Sequence, residues 1–107
     1  MTAQQLGEIL QRVRAELAGA LGDELDAVSL YGSQARGDAR PDSDIDLLIV
    51  MRGPFDPADV RRRTAHIASR WSLEYDTVIS RAFATRAQLE QEMSPFMLNV
   101  RDEAVRV

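Results

Sequence analysis

The first part of the chain carries apolar residues with the period of a helix. Thr2 and Gln5 have the spacing of a capping box and Gly22 follows the last apolar position, so we predict a first helix over residues 2–21. Its apolar stripe recurs every three or four residues and consists of Leu6, Ile9, Leu10, Val13, Leu17 and Leu21. Beyond residue 22 the pattern changes to short apolar runs separated by turn residues, which indicates strands between helices.

The remaining elements alternate between strands and helices. Strands are predicted over residues 27–31, 44–51 and 74–80, with a last edge strand over 104–107 and a loop over 38–43. Helices are predicted as a short turn capped by Ser33 and ending at Gly37, then over 56–71, 85–93 and 94–102. This order predicts an α/β (α+β) fold in which helices pack on a small mixed β-sheet.

The connections between the strands predict how they pair. Only a short connection joins the first and second strands, and this favours antiparallel pairing between them. A helix joins the second and third strands, and such crossovers connect parallel strands. The end of the first strand and the starts of the other two should therefore lie at one edge of the sheet.

Composition narrows the class of protein. A chain of 107 residues with 45% hydrophobic and 28% charged residues is typical of one globular domain, which we place over residues 1–107. Cysteine is absent, so disulfides and thiolate metal sites are excluded. No segment has the pattern of a signal peptide or of a membrane span, and we expect a cytoplasmic protein.

The charge of the chain argues against a long nucleic acid as partner. The formal net charge is −4, whereas long nucleic acids are bound mainly through positive surfaces. All 13 basic residues are arginine, a side chain suited to bidentate contacts with phosphate.

Two aspartates at the start of the second predicted strand are the first candidate site. Asp44 and Asp46 are two positions apart, so their side chains project from one face, about 7 Å apart at Cα. Two adjacent carboxylates repel each other unless a cation lies between them, and oxygen ligands suit Mg²⁺ or Mn²⁺. An isolated pair of this kind is more often an exposed strand end, so the surrounding residues decide the interpretation.

Gly32 and Ser33 lie between the first strand and the short helical turn. Glycine allows a phosphate to approach the backbone closely, and the start of a helix offers free N–H groups and a hydroxyl. The predicted pairing brings this turn beside Asp44 and Asp46. Asp76, near the start of the third predicted strand, should lie at the same edge, as a metal ligand or as the group that accepts a proton from a hydroxyl.

These residues resemble those of a known superfamily. Gly32-Ser33, ten further residues and then Asp44-Ile45-Asp46 are similar to the signature of the DNA polymerase β-like nucleotidyltransferases. The resemblance is to their minimal nucleotidyltransferase (MNT) branch and covers nearly the whole chain. It extends to the C-terminal segment from Ser94 to Val100, although Ala104 stands where that branch often has glycine.

The resemblance implies an activity and its residues. Gly32 and Ser33 would hold the triphosphate, with Arg36 as a further phosphate contact or a structural ion pair. Asp44, Asp46 and Asp76 would bind two Mg²⁺ ions, or Mn²⁺, and act in catalysis. ATP would be the nucleotide donor and pyrophosphate the leaving group.

The resemblance also implies a partner. Minimal members commonly accompany a helical HEPN-domain toxin, and the expected activity is transfer of AMP from ATP to a tyrosine of that toxin, which makes this chain the antitoxin. Two alternatives stay open: an antitoxin that masks the toxin by binding alone, and a subunit that modifies a small molecule together with a partner chain. The residues alone do not identify the acceptor.

Overall fold

The computed structural model describes residues 1–40 and 42–107, which form four strands and five α-helices. The helices are α1 (Ala3–Leu21), α2 (Ser33–Arg36), α3 (Pro57–Glu74), α4 (Arg86–Gln91) and α5 (Pro95–Glu103). The strands are β1 (Leu25–Tyr31), β2 (Ile45–Met51), β3 (Ile79–Thr85) and β4 (Val105–Arg106). The predicted loop over 38–43 includes Pro41, which lies outside the described residues.

The sheet is mixed and has the strand order β3-β2-β1-β4. Strand β1 pairs antiparallel with β2 and with β4, and β2 pairs parallel with β3. The predicted α/β class and both predicted pairings of β2 are therefore confirmed. The C-terminal end of β1 and the N-terminal ends of β2 and β3 meet at one edge, hereafter the upper edge.

Helices cover both faces of the sheet. One face packs against α1 and α3 through a core that includes Ile9, Leu17, Leu47, Ile49 and Ile67. The other face is covered by α4 and α5, with a smaller core of Ala27, Leu48, Val50, Ala84, Met97 and Val100. Because side chains alternate along β2, Asp46 lies on the same face as Leu48 and Val50, under α4 and α5.

The predicted helix starts are mostly correct. The capping boxes of Thr2 with Gln5 and of Thr85 with Gln88 are both formed, and Asp56 caps α3 ahead of Pro57. One cap was wrong: Gly32, and not Ser33, is the N-cap of α2, and no side-chain hydrogen bond caps that helix.

The third strand was placed wrongly. It was predicted over 74–80, whereas β3 runs from Ile79 to Thr85 and pairs along the whole of β2. Helix α3 continues past the buried Trp71 to Glu74, with Leu73 and Glu74 exposed to solvent, and a turn then precedes the strand. None of the helices in the described ranges is long and apolar enough to cross a membrane.

Candidate active site

The turn after β1 has a backbone that favours glycine. Gly32 has φ 76° and ψ −158°, a region of the Ramachandran plot that side chains with a Cβ rarely enter. Its carbonyl accepts hydrogen bonds from the N–H groups of Ala35 and Arg36, which closes the single turn of α2. Gly37 ends the helix in the left-handed conformation, with φ 80°.

The aspartate pair lies directly against this turn. Tyr31 is the antiparallel partner of Asp46, so the residue after it, Gly32, meets the Asp46 side chain at the upper edge. A Cβ added at Gly32 would lie 2.3 Å from Asp46 Oδ2, which is far inside van der Waals contact. Asp44 precedes β2 and is exposed. The structure thus brings the Gly-Ser turn and Asp46 together, as the strand pairing predicts.

Burial and the neighbouring acidic charges make ionised Asp46 unfavourable. Partial burial raises the pKa of Asp46 above its usual value, and the charges of Asp44 and, to a smaller extent, Glu103 act in the same direction; the positive charge of Arg36 opposes them. Burial, followed by the charge of Asp46, also raises the pKa of Tyr31. Negative charge is therefore concentrated here, on a partly buried carboxylate, Asp46, beside an exposed one, Asp44.

The donor set suits a hard divalent cation. Among the described residues, neither Asp44 nor Asp46 has a hydrogen bond or an ion pair through its carboxylate. Two unpaired carboxylates beside each other, with a glycine backbone in contact, provide the oxygen ligands that Mg²⁺ and Mn²⁺ prefer. A cation between them would remove the repulsion that raises the Asp46 pKa.

Asp76 is at the same edge but in a different setting from the one predicted. It lies in the turn between α3 and β3, is exposed, and has φ 49°. The N–H of Asp76 donates a hydrogen bond to the carbonyl of Leu73, and the N–H of Thr77 donates one to the carbonyl of Ser72. These are the two hydrogen bonds of a Schellman motif. Asp76 is therefore the residue that ends α3.

The structure does not join Asp76 to the aspartate pair. Asp76 lines a shallow cleft together with Ser43, the neighbour of Asp44. Within residues 1–40 and 42–107, however, no three acidic or metal-binding side chains are close enough to share an ion. The residue that pairs with Asp46 on β3 is Ser80, which is half-buried. The role of Asp76 as a third ligand therefore stays a prediction.

Arg36 has carboxylate partners. Its Nη1 lies 2.9 Å from Glu103 Oε2 and its Nε lies 3.2 Å from Asp38 Oδ2. The structural ion pair, one of the two roles predicted for Arg36, is formed, and the phosphate contact stays a prediction. Glu103 was missed by the sequence analysis because it is 67 positions away from Arg36, and no local pattern marks such a contact.

Comparison with known proteins decides the family. The sequence profile described as "Nucleotidyltransferase domain" matches residues 8–105, which is nearly the whole chain. The chain belongs to this family of nucleotidyltransferases. A "Putative protein adenylyltransferase" of Methanocaldococcus jannaschii is 40% identical over 73 residues, covering 68% of this chain and 73% of that protein.

Solved structures share the nucleotidyltransferase fold. A structure described as a "putative nucleotidyltransferase from Sulfolobus solfataricus" superimposes with a TM-score of 0.62 at 17% identity, covering 99% of this chain and 87% of that one. A structure described as "the toxin-antitoxin with AMP-PNP" superimposes with a TM-score of 0.61 at 17% identity, covering 88% of this chain and 68% of that one. At this level of identity the likeness supports the fold alone.

Proposed function

We propose that this nucleotidyltransferase transfers AMP from ATP to a hydroxyl group of a partner protein, and that it acts in this way as the antitoxin of a toxin–antitoxin pair. The observation that carries the proposal is the contact between Gly32 and Asp46. It places a turn able to approach a phosphate beside a carboxylate that a cation would stabilise. The similarity to the archaeal adenylyltransferase supports a protein acceptor.

Asp44 and Asp46 would hold the divalent metal that nucleotidyltransferases use, with Mg²⁺ as the ion proposed. When bound, the metal supplies the positive charge that lets two carboxylates and a triphosphate occupy one site. Asp76 stays the predicted third carboxylate, since it lies at the same edge and lines a cleft with Ser43. A second metal ion depends on that third ligand.

Ser33 and the backbone around it would hold the triphosphate. Ser33 is half-buried, and its hydroxyl has no hydrogen-bond partner among the described residues. Because Gly32 has no Cβ, a phosphate can approach the turn from the side of Asp46. Arg36 would add positive charge close to the triphosphate while it stays paired with Asp38 and Glu103.

The reaction is an in-line displacement at phosphorus. An acceptor hydroxyl loses its proton to a carboxylate, for which Asp76 is the proposed acceptor, and its oxygen forms a bond to the α-phosphorus of ATP. The bond from that phosphorus to the β-phosphate oxygen breaks, so pyrophosphate leaves and AMP stays on the acceptor. The contribution of the chain is to fix the two reacting groups in line.

The proposed acceptor is a tyrosine of a HEPN-domain toxin. The tyrosine and the HEPN domain come from the resemblance to minimal nucleotidyltransferases, and a structural neighbour described as "the toxin-antitoxin with AMP-PNP" supports the toxin–antitoxin setting. The net charge of −4 also favours a protein partner over a long nucleic acid.

A binding-only antitoxin is the second candidate, and one observation favours it. Within the described residues no three acidic side chains are close enough to share a metal ion, and Ser80, which is not an acid, pairs with Asp46 on the neighbouring strand. If Asp76 does not complete the site, the chain would bind nucleotide weakly or without transfer and would neutralise the toxin by covering it.

Co-expression with the toxin separates the two candidates. We expect intact mass spectrometry to show the toxin heavier by one AMP group with the wild-type chain and unmodified with Asp46→Asn. Asp23→Asn is the matched control, because Asp23 is an exposed acid next to the start of β1, at the opposite end of that strand. An unmodified toxin that the wild type still neutralises would refute the transferase and support masking.

A further inference from the structure

The last residue of α5 bridges the two ends of the Gly-Ser turn. Glu103 Oε1 accepts a hydrogen bond from the N–H of Gly32 at 3.1 Å, and Glu103 Oε2 accepts one from Arg36 Nη1 at 2.9 Å. One carboxylate therefore contacts the N-cap of α2 and its last residue together. Its side chain is 18% exposed, so most of it is shielded from water.

The backbone fixes the place of this carboxylate. Strand β4 begins two residues after Glu103 and pairs with β1 through Val105 and Leu30. Phe96, about two helical turns before Glu103 on α5, packs edge-to-face on Tyr31, with 5.4 Å between the ring centroids. Both ends of α5 are thereby attached to the end of β1, and Glu103 has little freedom to leave the turn.

We propose that Glu103 is the positioning residue of the nucleotide site. It holds Gly32 and Arg36 in place and engages the Gly32 N–H, so that Ser33 is left as the residue of the turn that meets the triphosphate. This inference rests on the proposed function, since it assigns a role within the same site. In this assignment the N–H of Gly32 does not bind phosphate. The role of Gly32 is steric, because its lack of a Cβ allows the close approach of Asp46.

The ion pair with Arg36 makes an acid acceptable at this position. An unpaired carboxylate beside Asp46 would repel both the pair of aspartates and a triphosphate. Arg36 neutralises Glu103, and its second partner, Asp38, keeps the guanidinium in place. A charged acceptor also gives the Gly32 N–H a stronger hydrogen bond than a neutral one would.

A competing role makes the opposite prediction. Glu103 could instead only occupy the Gly32 N–H until a phosphate replaces it on binding. Removal of Glu103 would then free this N–H and Arg36 for the phosphate, and nucleotide would bind more tightly. If Glu103 positions the turn, its removal weakens binding even though a negative charge has been lost. The sign of the change in affinity distinguishes the two roles.

The variants are Glu103→Gln and Glu103→Ala, with Asp102→Asn as control. Glutamine keeps the shape and one acceptor for the Gly32 N–H but cannot form the ion pair, and alanine removes both contacts. Asp102 is the exposed neighbour on α5. Its substitution by asparagine removes the same charge from nearly the same place without altering the turn.

Two measurements are needed. Titration calorimetry with AMP-PNP and Mg²⁺ should give a Kd about tenfold weaker for Glu103→Gln, the scale of one lost charge-assisted hydrogen bond, and weaker still for Glu103→Ala. Asp102→Asn should bind as the wild type does. Amide hydrogen exchange, followed by NMR, should show the Gly32 N–H protected in the wild type and faster to exchange in Glu103→Ala.

Each contrary outcome overturns a defined statement. Unchanged or tighter binding by both Glu103 variants would overturn the positioning role and leave the proposed function intact. Equal exchange of the Gly32 N–H in wild type and Glu103→Ala would also overturn it, because the hydrogen bond would then contribute nothing. A wild-type chain that binds no AMP-PNP would overturn the proposed function, and this inference with it.

Discussion

Two turns meet at the upper edge of the sheet, and each contains a residue with positive φ. Gly32 follows β1 with φ 76°, and Asp76 precedes β3 with φ 49°. At Gly32 the positive φ coincides with the close approach of Asp46, which leaves no room for a Cβ. At Asp76 the cause is the end of α3, where the Schellman hydrogen bonds require a left-handed residue.

The place of Gly32 beside Asp46 was predictable from the sequence, whereas Asp76 was wrongly placed in a strand. A Gly-Ser pair before an Asp-x-Asp motif has a specific spacing, and the geometry of the site depends on that glycine. An aspartate after a helix has a second explanation, since Asp tolerates the left-handed conformation better than most residues. The acid at position 76 is thus accounted for by local structure before any metal is considered.

Gly32→Ala should have the largest effect. The new Cβ would meet Asp46, and alanine would have to keep a backbone conformation that residues other than glycine rarely adopt. We therefore expect the free energy of unfolding to fall by about 2–3 kcal/mol. Gly37→Ala measures the cost of a left-handed backbone without a clash, because Gly37 has φ 80° and ψ 13° and no atom within 4 Å of an added Cβ. Denaturant unfolding should rank wild type above Gly37→Ala, and Gly37→Ala above Gly32→Ala. Equal losses in the two variants would contradict the contact with Asp46.

Asp46→Asn should make the metal-free protein more stable. Burial and Asp44 raise the pKa of Asp46, so at neutral pH its ionisation penalises the folded state. We expect a rise in Tm of about 2–5 °C at pH 7. The gain in Tm should shrink as the pH falls through the raised pKa of the folded state towards the ordinary pKa of an aspartate. In that range the wild-type carboxyl is protonated in the folded state, so the charge that penalises folding is lost. A gain independent of pH, or a loss at pH 7, would refute this electrostatic account.

Asp76 should show the smallest change in stability. Asparagine and glycine both accept the left-handed conformation, so Asp76→Asn should be nearly neutral and Asp76→Gly neutral or slightly stabilising. Asp76→Ala should lose about 1 kcal/mol. The proposed role as third carboxylate further predicts that nucleotide transfer drops in Asp76→Asn. Full transfer by that variant would leave Asp76 with the helix-ending role alone.

Most of the fold was predictable because its signals are local. The apolar stripe of α1, the capping boxes and Pro57 mark helix starts, and the apolar run in β2 marks a buried strand. Strand β3 was displaced because the residues of α3 after Trp71 provide no buried apolar position: Leu73 there is 83% exposed. The small and polar residues of β3 also give a weak strand pattern, and its register is decided by pairing with β2.

The site was predictable in part for the same reason. Gly32, Ser33, Asp44 and Asp46 lie within one stretch of fifteen residues, and the connection between β1 and β2 is short enough to imply their convergence. Glu103 reaches the turn from the opposite end of the chain, so only the pairing of β4 with β1 reveals it. Glu103 is the carboxylate that draws Arg36, which the motif contains, into an ion pair.

The aspartate pair and the Gly-Ser turn are proposed to form a metal-dependent nucleotide site. Calorimetric titration with ATP and Mg²⁺ tests it most directly, on the wild type and on a variant that combines Asp44→Asn with Asp46→Asn. We predict binding by the wild type that disappears without Mg²⁺ and in the double variant, while circular dichroism shows the variant folded. Unchanged affinity in the folded double variant would contradict the account.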